Sequence, residues 1–154
     1  MPQKLKLKDK VGSCFDILAE FARQKEIELV MSVTEEYEVF ADSHMVDTVI
    51  RNLVSNAIKF TARGGKIDVS AGATPDKSVE IMVRDTGTGM STELINKLFL
   101  LNERISLKGT EGEASSGLGL LLCKELIEKN KGKIWVESEE GKGSTFFFSL
   151  PSRQ

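Results

Sequence analysis

The chain has the length and composition of one globular domain, with 154 residues of which 40% are hydrophobic and 29% charged, and a formal net charge of -2. These proportions exclude an intrinsically disordered chain and a global cationic field of the kind that binds nucleic acid. The longest stretches without Asp, Glu, Lys or Arg are ten residues, whereas a membrane-spanning helix needs about 20, so we expect no direct membrane insertion.

The N-terminal part of the chain predicts a strand, a helix and then two further strands. Alternation over Leu5–Lys8 indicates a short strand, and the helical spacing of apolar residues over Lys10–Gln24 indicates an amphipathic helix. The segments Glu28–Val33 and Glu36–Ala41 are rich in Val, Leu, Tyr and Phe, and a short polar segment separates them. We expect these two strands to form a hairpin.

The next helix is the clearest element in the sequence. Asp42 and Ser43 supply N-cap chemistry, and the helix should end near Thr61 because Gly64 and Gly65 follow. Its apolar residues recur at helical spacing and form one stripe: Val46, Val49, Ile50, Leu53, Ala57 and Phe60. This face of the helix should therefore pack on the core.

Two hairpins are predicted in the rest of the chain. Lys66–Ala71 and Ser78–Arg84 alternate like neighbouring strands, and so do Lys133–Ser138 and Gly143–Pro151. Several hairpins combined with about three substantial helices favour an α+β two-layer sandwich. In this architecture the helices cover one face of a mixed, mainly antiparallel sheet.

The chain between these hairpins predicts two helices and a loop. Thr92–Leu101 resembles a short helix, and Leu118–Asn130 predicts a strong helix that ends before Gly132. Asn102–Ser116 has mixed charge and no sustained period, which predicts a long, mobile loop.

Three polar side chains share one face of the helix that follows Asp42. Asn52, Asn56 and Lys59 are spaced i, i+4 and i+7, beside the apolar stripe. Asn inside a helix is less favourable than Ala by up to about 0.7 kcal/mol, so two of them on one face suggest a need for amide groups. The alternative is a solvated polar face in which Asn occurs by chance.

Two glycine-containing segments are candidate ligand sites. Asp85–Gly89 follows a predicted buried strand, and its carboxylate and glycines would let a flat ligand approach the backbone. An ordinary Asp-x-Gly turn is the alternative. Ser115–Leu120 opens a strong helix, where free N–H groups and the helix dipole favour phosphate, although serine capping can also explain it. Neither segment fits a Walker lysine motif or a dinucleotide-binding turn.

The cysteine and histidine content disfavours several chemistries. Cys14 and Cys123 lie far apart in apolar surroundings, and His44 is the single histidine. We expect neither a disulfide framework nor a zinc site, and we expect a reducing, cytoplasmic compartment. Hydrolysis by a histidine-containing catalytic triad is also disfavoured.

Taken in order, these segments resemble the nucleotide-binding catalytic domain of sensor histidine kinases, in the ATPase superfamily shared with gyrase, the Hsp90 chaperones and the MutL repair proteins. RNLVSNAIKFT (51–61) resembles the N box, and VRDTGTGM (83–90) resembles the first glycine box. KLFL from Lys97 resembles a short F box, and SGLGLLLCKELI from Ser116 resembles the second glycine box. GKIWVESEEGKGSTFFFSLP (132–151) is similar to the closing hairpin of the family. The resemblance implies one ATP-binding catalytic domain over residues 1–154.

The resemblance also implies a site for ATP and Mg2+. Asp85 would bind the adenine amino group, and Thr145 would help to hold the adenine edge. Asn56 would bind Mg2+ through its side-chain oxygen, while Lys59 would neutralise phosphate charge and Asn52 would line the same cleft. The glycine boxes would complete the site, with Gly87, Gly89 and Met90 near the purine and Ser116, Gly117, Leu118 and Gly119 at the phosphates.

The same resemblance favours phosphoryl transfer over hydrolysis. ATP-hydrolysing relatives carry a glutamate four residues before the magnesium-binding asparagine, where this chain has Asn52, and an amide cannot act as a general base. Residues from about Leu100 to Ser116 correspond to the ATP lid. Lys59 and, within the lid, Arg104 and Lys108 are the candidates to contact the γ-phosphate, although each lid residue can equally be a solvated surface charge.

The family's dimerisation domain, with its phospho-accepting histidine, is not in this sequence. His44 lacks the family context of that histidine, so we expect it to be exposed or to cap a helix. The chain should therefore transfer the γ-phosphoryl group of ATP to a histidine on a separate helical dimerisation domain, from which a response regulator would receive it. A degenerate, non-enzymatic interaction module and a serine-directed protein kinase of the same superfamily are the alternatives.

Overall fold

The computed structural model describes residues 1–92, 107–108, 114–115 and 118–153. Its helices are α1 (Leu7–Gln24), α2 (Ser43–Phe60) and α3 (Leu118–Lys129). Its strands are β1 (Pro2–Lys6), β2 (Glu28–Ser32), β3 (Glu38–Asp42), β4 (Lys66–Ala73), β5 (Ser78–Asp85), β6 (Leu107–Lys108), β7 (Ala114–Ser115), β8 (Lys133–Glu139) and β9 (Gly143–Pro151).

The central element is a five-stranded sheet with the strand order β2-β4-β5-β9-β8. β2 runs parallel to β4, and all other neighbours in this sheet are antiparallel. The helices pack on the sheet, α1 on β2, α2 on β4 and β5, and α3 on β8 and β9. The predicted α+β sandwich with a mixed, mainly antiparallel sheet is confirmed.

The core lies between the helices and one face of this sheet, which we call the inner face. Alternate residues of β5 (Val79, Ile81 and Val83) and of β9 (Phe146, Phe148 and Leu150) are buried on that face. They meet the apolar stripe of α2, in which every predicted member except Phe60 is buried. Burying one such side chain stabilises the fold by about 1.5–3 kcal/mol, so this interface holds α2 firmly on the sheet.

The predicted hairpin between Glu28–Val33 and Glu36–Ala41 is wrong. β2 instead pairs in parallel with β4, with Leu29 opposite Ile67, and β3 pairs with β1 in a separate two-stranded sheet. Local alternation identifies each strand but does not select its partner. Parallel pairing needs a crossover connection, and α2 lies in the crossover between β2 and β4.

The other element predictions agree in type with the structure where it describes them, but the strand predicted over Leu5–Lys8 is β1 (Pro2–Lys6), and Leu7 and Lys8 already belong to α1. The hairpins β4–β5 and β8–β9 are present, and Asp42 caps α2 by accepting a hydrogen bond from the Met45 N–H at 3.0 Å. α1 begins at Leu7, three residues earlier than Lys10, and Leu7 is fully buried in the core. His44 is exposed, as expected.

Some predictions lie largely outside the described residues. The helix predicted over Thr92–Leu101 is one of them, and so is most of the loop predicted over Asn102–Ser116, within which β6 and β7 pair antiparallel. Cys14 and Cys123 are both buried, and neither is in a disulfide. None of the helices in the described part of the chain combines the length and the apolar character that a membrane span requires.

Candidate functional site

The inner face of the sheet changes from apolar to polar at one end. Three neighbouring strands each place one polar residue there, next to their inward apolar residues. These residues are Asp85 at the end of β5, Ser144 near the start of β9 and Ser138 near the end of β8. Strand pairing sets Asp85 opposite Ser144 and Ser144 opposite Ser138. A row of three polar side chains next to a packed core is a candidate ligand site.

Asp85 is the charged member of this row, and it is buried, with 6% of its surface exposed. Its Oδ1 accepts hydrogen bonds from the backbone N–H groups of Gly87 at 2.8 Å and Ser144 at 3.2 Å. Burial raises the pKa of Asp85 from 3.8 to about 6, against the lowering effect of those two bonds. No residue in the described ranges donates a hydrogen bond to Oδ2, so this oxygen remains an acceptor for a ligand.

The glycines that follow Asp85 are explained by close packing of the protein backbone. A Cβ at Gly87 would lie 2.3 Å from the carbonyl oxygen of Phe60, and one at Gly89 would lie 1.9 Å from that of Glu139. Gly89 also has a φ of +70°, which favours glycine. The sequence interpretation ascribed these glycines to ligand approach, whereas the segment observed close to them is the protein's own backbone.

Ser138 links this glycine-containing turn to the β8–β9 hairpin. Its Oγ accepts a hydrogen bond from the Met90 N–H at 2.9 Å and lies 2.7 Å from the Ser144 Oγ. The Gly141 N–H donates to the Thr88 carbonyl at 2.7 Å. Two hydrogen bonds therefore hold the turn against the β8–β9 hairpin, one to Ser138 on β8 and one from Gly141 in the hairpin loop.

Thr145 lies on the opposite face of the sheet from Asp85, so its predicted role at the adenine edge is not supported. It is paired with Arg84 and Glu137, and successive side chains of a strand point to opposite faces. Ser144 takes the inward position instead. The sequence analysis missed Ser144 and Ser138. Because every second residue of a strand faces the same side, the inward residues Phe146 and Val136 could have identified Ser144 and Ser138, each two positions away.

The C-terminal end of α2, whose polar face carries Asn52, Asn56 and Lys59, contacts the turn that follows Asp85. Asn52 is held in place because its Nδ2 donates to the Thr48 carbonyl at 3.0 Å. The Asn56 carboxamide makes no hydrogen bond within the described part of the chain, and no described carboxylate pairs with Lys59. Asn56 thus offers a free amide oxygen and Lys59 a free ammonium group, one helical turn apart.

The last turn of α2 is fixed by a buried lysine. Lys25 is 3% exposed, and its Nζ donates to the carbonyls of Ile58 and Lys59, both at 2.9 Å. A cation at a helix C-terminus satisfies carbonyls that lack intrahelical partners. The next carbonyl, that of Phe60, accepts from the Thr88 N–H at 3.2 Å. The end of α2 and the turn after Asp85 are therefore positioned together.

The start of α3 approaches the polar face of α2. A Cβ at Gly119 would lie 3.2 Å from the Asn52 Oδ1, so this glycine allows the two helices to come close. Leu118 is the first residue of α3. Ser116, Gly117 and Arg104 lie outside the described residues, as does the side chain of Lys108.

Comparison with known proteins gives a consistent result. A family model described as "Histidine kinase-, DNA gyrase B-, and HSP90-like ATPase" matches residues 41–154. The adaptive-response sensory kinase SasA of Crocosphaera subtropica is 37% identical over 129 residues, which make up 83% of this chain and 33% of that protein. The chain thus spans about a third of this curated relative.

Solved structures of histidine kinases have the same fold. The catalytic domain of ThkA superposes with a TM-score of 0.85 at 29% identity, covering 99% of this chain and 97% of that one. Full-length ShkA in complex with AMPPNP gives 0.83 at 25% identity, covering 99% of this chain and 31% of that one. ThkA in complex with the response regulator protein TrrA gives 0.80 at 26% identity, covering 98% and 42%.

Proposed function

The chain belongs to the histidine kinase-, DNA gyrase B- and HSP90-like ATPase family, and from this premise we propose that it binds Mg-ATP and transfers the γ-phosphoryl group to a histidine. In this proposal the histidine is supplied by a separate helical dimerisation domain in a two-component signalling system. The chain itself supplies the nucleotide site and the positioning of the phosphates.

One arrangement carries the proposal: the turn after a buried carboxylate contacts the end of the helix that carries a free amide. Asp85 keeps one oxygen without a partner among the described residues, which suits the amino group of adenine. Asn56 lies one turn before Phe60, whose carbonyl contacts the turn after Asp85. We propose that the two groups hold opposite ends of one nucleotide.

The residues on α2 and α3 fit a magnesium triphosphate. The amide oxygen of Asn56 is a hard ligand of the type Mg2+ prefers, and Mg2+ when bound neutralises and orients the phosphates. Lys59 adds a positive charge to the same face. The N-terminus of α3, with Leu118 and Gly119, offers backbone N–H groups to phosphate oxygens, and Ser116, Gly117 and Arg104 are proposed to assist there.

The side chain at position 52 favours transfer over hydrolysis. Asn52 is an amide that already donates to the Thr48 carbonyl, and it cannot remove a proton from water. In the proposed reaction the bond between the γ-phosphorus and the bridging oxygen breaks, ADP leaves, and a bond forms between phosphorus and an imidazole nitrogen. The domain contributes position and charge neutralisation, which such a reaction mostly requires.

The proposed partners follow from the likeness to longer kinases. ThkA has been solved in complex with a response regulator protein, and we propose a receiver domain of that kind downstream of this chain. We place the activity in the cytoplasm, which supplies ATP and keeps the two free cysteines reduced.

A nucleotide titration tests the proposal. We expect ATP to bind with an affinity that rises when Mg2+ replaces a chelator, because Asn56 would hold the metal and the metal would neutralise phosphate charge. Isothermal titration calorimetry with ATP in the presence of Mg2+ or EDTA measures both affinities. An affinity that does not depend on Mg2+, or no binding at all, would instead indicate a non-enzymatic interaction module.

The identity of the phosphorylated residue is tested by product chemistry. With labelled ATP and a candidate acceptor domain, we expect a phosphoprotein that loses its label in acid and keeps it in base, because phosphohistidine is acid-labile. An acid-stable product would indicate the serine-directed kinase of the same superfamily. Omitting the acceptor domain is the control, and the chain alone should show no labelling.

A further inference from the structure

We propose that the face of the sheet opposite the helices, which we call the outer face, binds a second copy of this chain. The inference does not depend on the proposed nucleotide function, because Asp85 lies on the inner face. The described helices pack on the inner side of the sheet, and the outer side chains of β5, β8 and β9 are half-buried or exposed.

An apolar row crosses the middle of the outer face. Strand pairing places Trp135, Phe147 and Met82 side by side on β8, β9 and β5. The Trp135 and Phe147 rings are stacked, with centroids 5.2 Å apart and an interplanar angle of 4°. All three residues are only half-buried. An antiparallel sheet that faces water on one side normally carries polar residues there, so this row favours a partner.

Four charged side chains border the apolar row in alternating order. On β8, Lys133 lies two residues before the row and Glu137 two residues after it. On β5, which runs in the same direction, Glu80 lies two residues before the row and Arg84 two residues after it. None of the four forms an ion pair with another described residue. A cation and an anion thus lie on each side of the row, and the order on β8 is the reverse of that on β5.

This charge pattern is complementary to itself. A two-fold axis that runs along the apolar row, between two copies packed face to face, places each strand over the same strand of the partner in the reverse direction. Lys133 then faces the partner's Glu137, and Glu80 faces the partner's Arg84. Opposite charges meet at all four positions, and the apolar row packs against the same row of the second copy.

A two-fold axis along β9 would also pair opposite charges, since it would set Lys133 over the partner's Glu80. That arrangement would overlap only β5, β9 and β8. The axis along the apolar row overlaps all five strands of the sheet, and it therefore removes more apolar surface from water. The geometry favours this second arrangement, with the two sheets inclined by about 30° as in aligned sheet packing.

The test measures dimerisation of charge variants by sedimentation velocity over a range of protein concentrations. The wild-type chain should form a concentration-dependent dimer. Lys133→Glu sets like charges against each other at two symmetry-related positions and should weaken dimerisation by about tenfold or more. Lys133→Glu combined with Glu137→Lys makes the facing charges opposite again and should restore the wild-type affinity. Lys129→Glu is the matched control, because it makes the same change in net charge at an exposed position of α3; it should leave dimerisation unchanged.

Tryptophan fluorescence tests the position of the contact. Trp135 is the only tryptophan in the sequence, and its emission maximum should move to shorter wavelength as the dimer forms, because its ring leaves water. Thermal unfolding verifies that each variant is folded, and Glu137→Lys replaces Lys133→Glu if the latter unfolds.

Three results would overturn the inference. The first is a wild-type chain that stays monomeric at every concentration up to about 1 mM. The second is a dimer that forms without a change in Trp135 emission. The third is a double variant that dimerises no more tightly than Lys133→Glu alone, because the axis along the row requires the two changes to compensate each other.

Discussion

Asp85→Asn is expected to weaken ATP binding by about 10- to 100-fold, because a hydrogen bond to a charged group contributes about 1.5–3 kcal/mol. The amide would keep an oxygen for the Gly87 and Ser144 N–H groups, which are both bonded to Oδ1. It would then place an amino group where Oδ2 now lies. Two donors would face each other at the adenine amino group, and the ATP preference over GTP should largely disappear.

The same substitution is expected to stabilise the unliganded protein above pH 6. Burial raises the folded-state pKa of Asp85 from 3.8 to about 6, so the native protein holds a proton there more tightly than the unfolded chain does. This stabilises the native state at low pH, and the contribution is lost as the pH rises through about 4 to 6. Above pH 6 the buried charge lowers the free energy of unfolding by on the order of 3 kcal/mol. An amide is neutral but imperfectly hydrogen-bonded at this position, so the substitution should recover about 1–2 kcal/mol of that loss.

Both effects are measurable on one variant. Thermal unfolding of Asp85→Asn without nucleotide should give a Tm about 2–8 °C above wild type at pH 7.5, and the difference should shrink as the pH falls towards 4. Calorimetric titration with ATP and GTP gives the binding effect. For the titrations, Asp68→Asn is the control, because Asp68 lies opposite Arg84 in the β4–β5 register, on the other face of the sheet from Asp85.

Two results would contradict this assignment. Unchanged ATP and GTP affinities in Asp85→Asn would show that Asp85 does not contact the base. A lower Tm above pH 6 would show that the carboxylate stabilises the fold, in which case its burial would be structural rather than a feature of a binding site.

The sequence predicts a ligand site at Asp85 for the same physical reason that leads us to expect opposite effects of this carboxylate on stability and on binding. The inward residues of β5 are apolar up to Val83, and the series then ends on a carboxylate. A carboxylate at such a position destabilises the empty domain, so a ligand is the simplest reason for it. In β9, too, every second residue faces inward, and this alternation leads to Ser144. The sequence analysis chose Thr145 instead.

Pairing between distant strands could not be predicted in the same way. The alternation in β2 and β3 identified two strands, but their partners, β4 and β1, depend on where α2 and the core place them. The bonds of Lys25 to the end of α2 also join residues 33 and 34 positions apart. A short-range pattern carries no information on such contacts, because they form only when the elements pack.

Asn56→Ala is expected to remove most of the gain in ATP affinity that Mg2+ provides. The Asn56 carboxamide has no hydrogen-bond partner in the described ranges, so a metal is free to bind its oxygen. Loss of one oxygen ligand should lower the affinity in Mg2+ about tenfold and change the affinity in EDTA by less than about twofold.

The helix itself cannot account for such a loss. Alanine is the better helix former by up to about 0.7 kcal/mol, so the variant should be at least as stable as wild type, which thermal unfolding verifies. Ser55→Ala is the control on the neighbouring position, because it removes a hydroxyl that bonds the Asn52 carbonyl at 3.3 Å and leaves the amide of Asn56 in place. If Asn56→Ala weakened binding equally in Mg2+ and in EDTA, the amide would contact the nucleotide or shape the helix, and the metal would be held by other residues.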